Sequence, residues 1–363
     1  MKLTKLYIHN YKSFYDTTIE LDKLNIVVGE NNSGKSNLID VLEFVDIAIS
    51  KDIERAIDDK GGYDKIKNYS AVGEKKVIIR ATFEDTLITS FSFTKDYSIL
   101  SEYTDKKYIT SHKKYFSKNR KEQKKLFFFS GKHNESMQVM RYTLDSIFLL
   151  RTLYKISTYY FDTQKIRTLS NQDTKDSKLS KDGSNLGKIL YEIKENDKNR
   201  FEVISNSLIT TVNEIDGIEI YNVADNYIIA FKERGKEPIP IHVVSDGTIN
   251  LLATMTALNQ NNDSSLLVFE EPERHLHLKV MDYLLESFRT SDKQIIVTTH
   301  SSELLNYAKL EEIVFIYRNS DGDTQSIRAI DVPNLKGKME RLAYERPMSL
   351  DEMISCGMIG NFE

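Results

Sequence analysis

The sequence predicts an α/β fold built on a mixed sheet, with an antiparallel β subdomain and an inserted, mostly helical lobe. Three observations support this prediction. A loop bracketed by glycines, residues 29–36, lies between an apolar strand and an amphipathic helix. A wholly apolar strand, residues 266–269, ends in two glutamates, and another apolar strand ends in His300. Binding sites in α/β sheets lie at such strand ends, so these three places are the candidates for function.

The loop between the first buried strand and the first long helix reads GENNSGKS and fits the phosphate-binding pattern G-x-x-x-x-G-K-[ST]. Gly29 and Gly34 allow the backbone to approach a polyphosphate without a side chain in the way. Lys35 can reach the β- and γ-phosphates, and the Ser36 hydroxyl can hold Mg²⁺. The residues expected to contact the nucleotide are Gly29, Asn31, Asn32, Ser33, Gly34, Lys35, Ser36 and Asn37.

The segments on either side of the loop support this interpretation over a chance match in a Gly/Asn turn. Residues 24–28 read as a short buried strand. Leu38, Val41, Leu42 and Val45 follow at the spacing of one apolar helical face. The loop is therefore predicted to bind a nucleoside triphosphate.

Length and composition limit the class of protein. The chain has 363 residues, of which 40% are apolar and 29% charged, which suits one large domain with an insertion or two domains. It has no apolar run near the ~20 residues that a membrane span needs and no signal-peptide pattern. Its single cysteine, Cys356, fits a reducing compartment. We expect a cytoplasmic protein without membrane contact, and its net charge of −4 gives no general attraction to nucleic acid.

Three regions are expected along the chain. Residues 1–100 hold the phosphate loop and the strands LTKLYIHNY, FYDTTIEL, KKVIIRATFE and TSFSFTKDYSI. Residues 101–215 form an inserted basic and helical lobe, with a helix around QVMRYTLDSIFLLRTLYKI and a helix pair in NLGKILYEIKENDKNRFEVISNSLITTVNEI. Residues 216–363 return to strands in GIEIYNVADNYIIAF and carry the remaining motifs.

The two glutamates after the apolar strand can divide the work of hydrolysis. Glu270 would support the Mg²⁺ shell, and Glu271 would polarise the attacking water. A solvated acidic turn is the alternative, and Glu271, Glu273, His275 and His277 could also be interpreted as metal ligands.

His300, at the end of KQIIVTTH, is placed to contact a γ-phosphate, although a lone histidine at a strand end is more often structural. Lys35 and Glu270 are 235 residues apart (270 minus 35), and no N-K-x-D tetrad is present. This spacing argues against ring-forming AAA+ motors and small GTPases.

Four motifs in order resemble the ABC-type ATPases of the RecF/SMC/Rad50/OLD group. These are the opening LTKLYIHNYKSFYDTTIELDKLNIVVGENNSGKSNLID, the signature-like VSDGTINLLATMTAL, the acidic LLVFEEPERHLH and the switch TTHS. The resemblance places Ser245 and Gly247 at the Ser and second-Gly positions of the signature. It implies a P-loop NTPase of ABC type that uses ATP and Mg²⁺, with Glu271, His300 and Lys35 in catalysis. It also implies a head-to-tail homodimer, or a higher oligomer built on it, in which the signature completes the ATP pocket of the opposite subunit.

Three further stretches, GGYDKI, KDGSNLGKILYEI and MSLDEMISCGMIG, resemble stand-alone bacterial ATPases of the OLD-like branch. This resemblance implies a separate effector protein, a nuclease or toxin, and a role in defence against phage. It does not extend to a Toprim nuclease domain or to long coiled coils. Asn32 stands where the group usually has Gly or Ala, and no Q-loop glutamine is assigned.

The stretch DKKYITSHKKYFSKNRKEQKK, residues 105–125, carries nine Lys and Arg residues with interleaved aromatics. Such a pattern suits phosphate contact and base stacking, but a solvated charged lobe is also consistent with it. Nucleic-acid binding through this stretch would favour a RecF-like ATPase in DNA repair as the alternative function. The nucleotide-binding subunit of a transporter and a scaffold without turnover fit the motifs less well.

Overall fold

The computed structural model describes most of the chain. The described residues are 1–68, 70, 76–85, 87–95, 99–105, 110–116, 128–129, 150, 154–168, 170–171, 177–224, 226–233, 235–261, 263–333 and 335. Most of the predicted helix around residues 138–156, most of the basic stretch 105–125 and the ending MSLDEMISCGMIG lie outside them. At the end of the predicted helix, residues 154 and 155 are described and are not helical, and Ile156 begins a strand.

The strands within these ranges are numbered in chain order. They are β1 Leu3–Tyr11, β2 Phe14–Glu20, β3 Leu24–Val28, β4 Val77–Phe83, β5 Leu87–Phe93, β6 Ile99–Asp105, β7 Thr110–Phe116, β8 Phe128–Phe129, β9 Ile156–Tyr159, β10 Ser170–Asn171, β11 Ile215–Val223, β12 Asn226–Glu233, β13 Ile239–Pro240, β14 Leu266–Glu270, β15 Gln294–Thr299, β16 Ile313–Arg318 and β17 Thr324–Arg328.

The α-helices are numbered in the same way. They are α1 Lys35–Ser50, α2 Ile53–Asp59, α3 Tyr63–Ile66, α4 Thr163–Arg167, α5 Leu186–Asn196, α6 Lys198–Thr211, α7 Asp246–Asn259, α8 Leu278–Thr290 and α9 Ser302–Leu305. Short 3-10 turns span Ile241–Val243, Leu310–Glu312 and Ala329–Asp331. None of the helices in the described part of the chain is long and apolar enough to cross a membrane.

The chain divides into two compact units. The first contains residues 1–156, 263–266 and 309–363, and the second contains residues 157–262 and 267–308. The phosphate loop belongs to the first unit. The signature-like helix start, nearly all of the acidic strand and His300 belong to the second.

The first unit contains an antiparallel sheet in the order β2-β1-β4-β5-β6-β7-β8. The four strands expected in residues 1–100 are present, and their alternating sequences bury one face, as in the pattern of β2. The sheet continues through β6 and β7 to residue 116, past residue 100, where the inserted lobe is predicted to start. The limits of that lobe stay a prediction.

The phosphate loop lies beside a second group of strands in the first unit. β16 pairs in parallel with β3 and antiparallel with β17, so the pairing is mixed, as predicted. β3 is buried along its whole length because it consists almost entirely of apolar residues. On α1, the four residues Leu38, Val41, Leu42 and Val45 are all buried, which confirms the predicted apolar face.

The second unit holds two strand groups and the helices that cover them. β15, β14 and β9 are neighbours in that order, and β12 lies between β10 and β11, with β13 also paired to β12. The predicted helix pair is present as α5 and α6, and the predicted alternating strands form the hairpin β11–β12. β14 and β15 are buried along their whole length except at Glu270, the last residue of β14. The polar residues at the ends of both strands are therefore anchored by well-packed strands.

Candidate functional site

The phosphate loop in the first unit curls around the amine of Lys35. Its Nζ donates hydrogen bonds to the carbonyl oxygens of Gly29, at 2.5 Å, and Glu30, at 2.8 Å. Lys35 is buried, whereas Ser36 next to it is exposed at the start of α1. The amine is therefore fixed inside the curve of the loop, where the phosphates of a nucleotide would lie against the positive end of the helix.

Both loop glycines occupy places where a side chain does not fit. A Cβ on Gly29 would lie 2.1 Å from the carbonyl oxygen of Ile316, and one on Gly34 would lie 2.5 Å from Thr324 Oγ1. Gly34 also has a φ of 119°, which L-residues with side chains rarely adopt. Asn32 has a φ of 67°, and asparagine tolerates this left-handed conformation better than most residues. Asparagine therefore fits the backbone at this position of the loop.

Polar groups from distant parts of the chain form hydrogen bonds around the phosphate loop. The Thr324 hydroxyl lies 2.8 Å from both the Ser33 carbonyl oxygen and Ser13 Oγ. Asn37 donates its side-chain N–H to the same Ser13 hydroxyl at 2.7 Å. Arg318 donates from Nε to the Asn32 carbonyl oxygen at 2.9 Å. Three of these four hydrogen bonds involve the loop or the start of α1, and together they fix the loop backbone.

The loop residues fit a polyphosphate. Ser33 Oγ is buried and has no hydrogen-bond partner in the described part of the chain, so it is a donor that a phosphate oxygen could satisfy. Asn31 and Asn32 are exposed at the mouth of the loop. Ser36 offers a hydroxyl oxygen of the kind that Mg²⁺ prefers.

The acidic strand and the switch histidine come together in the second unit. Glu270, the last residue of β14, is exposed, and its carboxylate is also a suitable Mg²⁺ ligand. Glu271 follows in a left-handed conformation with a φ of 47°, and its N–H donates to the Thr298 carbonyl oxygen at 2.8 Å. Its Oε1 lies 3.7 Å from Nε2 of His300. A carboxylate and an imidazole at this distance can act on one small group, such as a water and the phosphate it attacks.

Glu273 lies on the same turn but is only 5% exposed. Burial raises the pKa of this carboxyl to about 7, against hydrogen bonds from Thr299 and the backbone that lower it. The described residues include no group of three or more His, Cys, Asp or Glu side chains that could hold a metal ion. The interpretation of Glu271, Glu273, His275 and His277 as metal ligands therefore has no support in this region.

The raised pKa of Glu273 predicts how the free energy of unfolding depends on pH. The folded-state pKa of about 7 lies above the ordinary value of 4.5, so the folded protein holds a proton that the unfolded chain releases between these values. This contribution to stability is complete below pH 4.5 and is lost as the pH rises through 7, by about 1.4 kcal/mol per pH unit. Urea unfolding of the wild type should show this slope from pH 5 to about pH 7 and level off by pH 8, and Glu273→Gln should lack it. Equal slopes in both proteins would contradict the prediction.

The signature-like segment begins α7 in the second unit. The Ser245 hydroxyl caps the helix by accepting from the Thr248 N–H at 3.2 Å, and it is exposed to solvent. A Cβ on Gly247 would lie 2.2 Å from the carbonyl oxygen of His275, so this glycine permits close contact with the turn after the acidic strand. Asn250 strengthens that contact by donating to the Arg274 carbonyl oxygen at 2.9 Å. An exposed hydroxyl at a helix N-terminus is suited to an anion.

Arg167, at the end of α4, binds the segment that precedes α7. Its guanidinium donates to the carbonyl oxygens of Ile241, His242 and Val244 at 2.7–2.9 Å. It also makes an ion pair of 2.6 Å with Asp246, the first residue of α7, and holds the pKa of that carboxyl below its usual value. One side chain therefore orders the whole turn before Ser245.

The structure places the predicted residues in three groups. Glu271 and His300 face each other, Ser245 and Gly247 begin one helix, and the eight loop residues form one curve. Sequence reasoning did not find the residues that support these groups. Ser13, Glu273 and Thr299 lie in motifs that were recognised for other reasons, but Arg167, Arg318 and Thr324 carry no local signal.

The chain also matches a known protein family over most of its length. Residues 24–306 match the model of the AAA_21 family, described as "AAA domain, putative AbiEii toxin, Type IV TA system". The chain belongs to the AAA_21 family. Among curated relatives, the protein is similar to an "ATP/GTP phosphatase" of Helicobacter pylori (strain ATCC 700392 / 26695), with 23% identity over 321 residues, covering 82% of this chain and 85% of the relative.

Solved structures show which fold this AAA_21 protein has. It is similar to an SMC head bound to the C-terminal winged-helix domain of ScpA, with a TM-score of 0.55 and 18% identity, covering 90% of this chain and 98% of that one. It is also similar to an SMC head with an extended coiled coil bound to the C-terminal domain of ScpA from Pyrococcus furiosus, with a TM-score of 0.51, 16% identity and coverage of 95% and 99%. The predicted α/β fold of ABC type is confirmed, because the chain has the fold of these SMC heads.

Proposed function

We propose that this protein binds ATP with Mg²⁺, dimerises head to tail around two ATP molecules, and separates when they are hydrolysed. The observation that carries the proposal is the pair Glu271–His300, a carboxylate and an imidazole 3.7 Å apart at two strand ends of a nucleotide-binding fold. The fixed phosphate loop and the exposed signature serine supply the other parts that such a cycle needs.

Each group has a chemical task in this proposal. Lys35 would neutralise the β- and γ-phosphates, and the Ser36 hydroxyl in the first unit and the Glu270 carboxylate in the second are the oxygen groups that would hold Mg²⁺. Glu271 accepts a hydrogen bond from the attacking water and orients it towards the γ-phosphorus. His300 donates to a γ-phosphate oxygen and so distinguishes ATP from ADP. Ser245 and the amides at the start of α7 bind the γ-phosphate of the ATP held by the other subunit.

The dimer follows from the content of a single chain. It has one phosphate loop and one signature helix, and the signature hydroxyl is exposed to solvent. Val243, two residues before Ser245, and Leu278, at the start of α8, are 71% and 45% exposed. Both side chains belong to the same unit as the signature and are available for contact with a second copy.

The composite site has a test that depends on mixing two inactive variants. Lys35→Ala removes the phosphate-binding amine, and Ser245→Arg blocks the signature, so each homodimer should be inactive. A mixed dimer contains one site in which both the loop and the signature are intact. Equal mixing should therefore restore roughly a quarter of wild-type hydrolysis, because half of the dimers are mixed and each has one working site of two.

The control for this experiment mixes Lys35→Ala with the double variant Lys35→Ala/Ser245→Arg. No chain in that mixture has an intact phosphate loop, so no activity should return. If the first mixture also stays inactive while both variants remain folded by circular dichroism, the head-to-tail site is wrong.

We further propose that the ATP-bound dimer controls a separate effector protein, a nuclease or toxin, in bacterial defence against phage. The family description, which names a toxin–antitoxin system, and the resemblance to stand-alone OLD-like ATPases support this role. The similar SMC heads are bound to domains of ScpA, which is a precedent for a protein partner on this fold.

The alternative is a RecF-like ATPase in DNA repair, which the nine basic residues of 105–125 favour. Duplex DNA distinguishes the two roles. Hydrolysis that DNA stimulates, and that loses this stimulation when Lys113, Lys114, Arg120 and Lys121 are neutralised, would support repair. A rate that is the same with and without DNA would support control of an effector.

A further inference from the structure

Glu273 is a buried carboxyl for which the proposed reaction has no direct use. Its Oε1 accepts a hydrogen bond from the Thr299 hydroxyl, and its Oε2 is buried without a partner in the described part of the chain. A buried carboxyl with one unsatisfied oxygen destabilises a fold compared with an apolar side chain of similar size. Packing alone therefore does not account for a glutamate at this place.

The partner of Glu273 is the residue just before His300. The Thr299 side chain is fully buried, and its Oγ1 also accepts the N–H of Ser301 at 2.8 Å. A hydroxyl has one proton to donate and can accept as well, so it can make both bonds at once. His300 lies between Thr299 and Ser301 in the chain. The Thr299 hydroxyl, which Glu273 orients, therefore holds the backbone on both sides of His300.

The turn that carries Glu273 is also held against β15 by its backbone. The Glu271 N–H donates to the Thr298 carbonyl oxygen at 2.8 Å. Within the turn, the N–H of Arg274 donates to the Glu271 carbonyl oxygen at 3.1 Å and that of Leu276 to the Glu273 carbonyl oxygen at 2.9 Å. Thr298 and Thr299 of β15 are therefore bound by Glu271 and Glu273 of the same turn, respectively.

We propose that Glu273 is a positioning residue that sets His300 at its working distance from Glu271 through the Thr299 hydroxyl. The inference rests on the proposed roles of Glu271 and His300. The side chain of Glu273 touches neither the nucleotide nor the water. The hydrogen bond between Glu273 and Thr299 fixes the backbone of His300. The backbone hydrogen bond from Glu271 to Thr298 fixes the position of Glu271, the other member of the catalytic pair.

The test compares two substitutions at Thr299. Thr299→Val has nearly the same shape but no hydroxyl, whereas Thr299→Ser keeps the hydroxyl. We expect Thr299→Val to lower kcat at least about tenfold with KM for ATP changed less than about twofold, because a displaced catalytic group affects turnover more than binding. Thr299→Ser should stay within about threefold of wild type.

The same logic applies at Glu273. Glu273→Gln keeps an oxygen that can accept from Thr299 and should retain more activity than Glu273→Ala, which should match Thr299→Val. The double variant Glu273→Ala/Thr299→Val should be no slower than the slower single variant, since both remove one connection. Independent, multiplying losses would contradict the inference.

Two further measurements separate this inference from a structural role and from the proposed function. All rates are measured at least 15 °C below the melting temperature of each variant, and unchanged kcat in Thr299→Val despite a lower melting temperature would overturn the positioning role. Glu271→Gln and His300→Ala are assayed in parallel. If these two leave kcat unchanged, the proposed function fails; if they slow it while Thr299→Val and Glu273→Ala do not, only the positioning role fails.

Discussion

Glu271→Gln is expected to slow ATP hydrolysis by roughly 10²- to 10⁴-fold, the range that a positioned general base contributes. Glutamine has nearly the same shape as glutamate but cannot accept the proton of the attacking water. The Glu271 N–H keeps its bond to Thr298 in the variant because that bond involves only the backbone. Turnover is measured with steady-state phosphate release at saturating ATP.

The same variant should accumulate in the ATP-bound state. We expect its mass in solution to double when ATP and Mg²⁺ are added and to stay doubled, whereas the wild type should return to the smaller mass as ATP is consumed. Glu195→Gln makes the same chemical change on the exposed face of α5 and is the matched control. A Glu271→Gln protein that hydrolyses ATP at the wild-type rate would show that the base lies elsewhere, and one that stays monomeric with ATP would falsify the dimer cycle.

Lys35→Ala is expected to weaken ATP binding by at least roughly 30-fold, which corresponds to 2 kcal/mol or more, because truncating a buried charged partner costs at least that much. Two effects contribute. The phosphates lose their buried cation, and the loop loses the bonds from Nζ to the carbonyl oxygens of Gly29 and Glu30. Equilibrium binding of a fluorescent ATP analogue gives the affinity directly.

Lys23→Ala is the matched control for this substitution. Lys23 is exposed just before β3 and belongs to the same unit, so its removal changes the net charge equally but leaves the loop intact. If both variants bind ATP equally well, the phosphate loop does not hold the nucleotide through Lys35. A control variant that also weakens binding would show that the effect comes from general charge.

Local patterns in the sequence were sufficient for the elements that carry the site. The phosphate loop, β14 with its two glutamates and β15 with His300 were all identified from spacing and apolar character, because each is a continuous segment whose residues face one environment. The supporting contacts were beyond such reasoning. Thr324 and Arg318 approach the loop from nearly 300 residues away along the chain, and no periodicity records such a meeting.

The role of Glu273 shows the same limit. In the sequence it stood among acidic and histidine residues, so a metal site was a reasonable alternative. In the structure its side chain is buried against Thr299, and the turn after β14 buries Pro272 and Glu273 together while Arg274 and His275 are exposed, a pattern without a regular period. The pairing of β7 with β6 was also beyond local patterns, because basic residues in β7 suit a solvated lobe and the strand pairs through backbone groups that any sequence possesses.

The support of the phosphate loop by β16 and β17 has a consequence for the order of events during synthesis. The loop and its helix leave the ribosome early, but the side chains of Arg318 and Thr324, which bind the loop carbonyl oxygens, come from near the other end of the core. Contacts of such large sequence separation form late and slowly. A nascent chain that has been synthesised past residue 40 thus contains the complete phosphate-binding motif, but its loop lacks the contacts that fix the loop backbone. We therefore expect nucleotide to bind only to chains whose synthesis has reached β17.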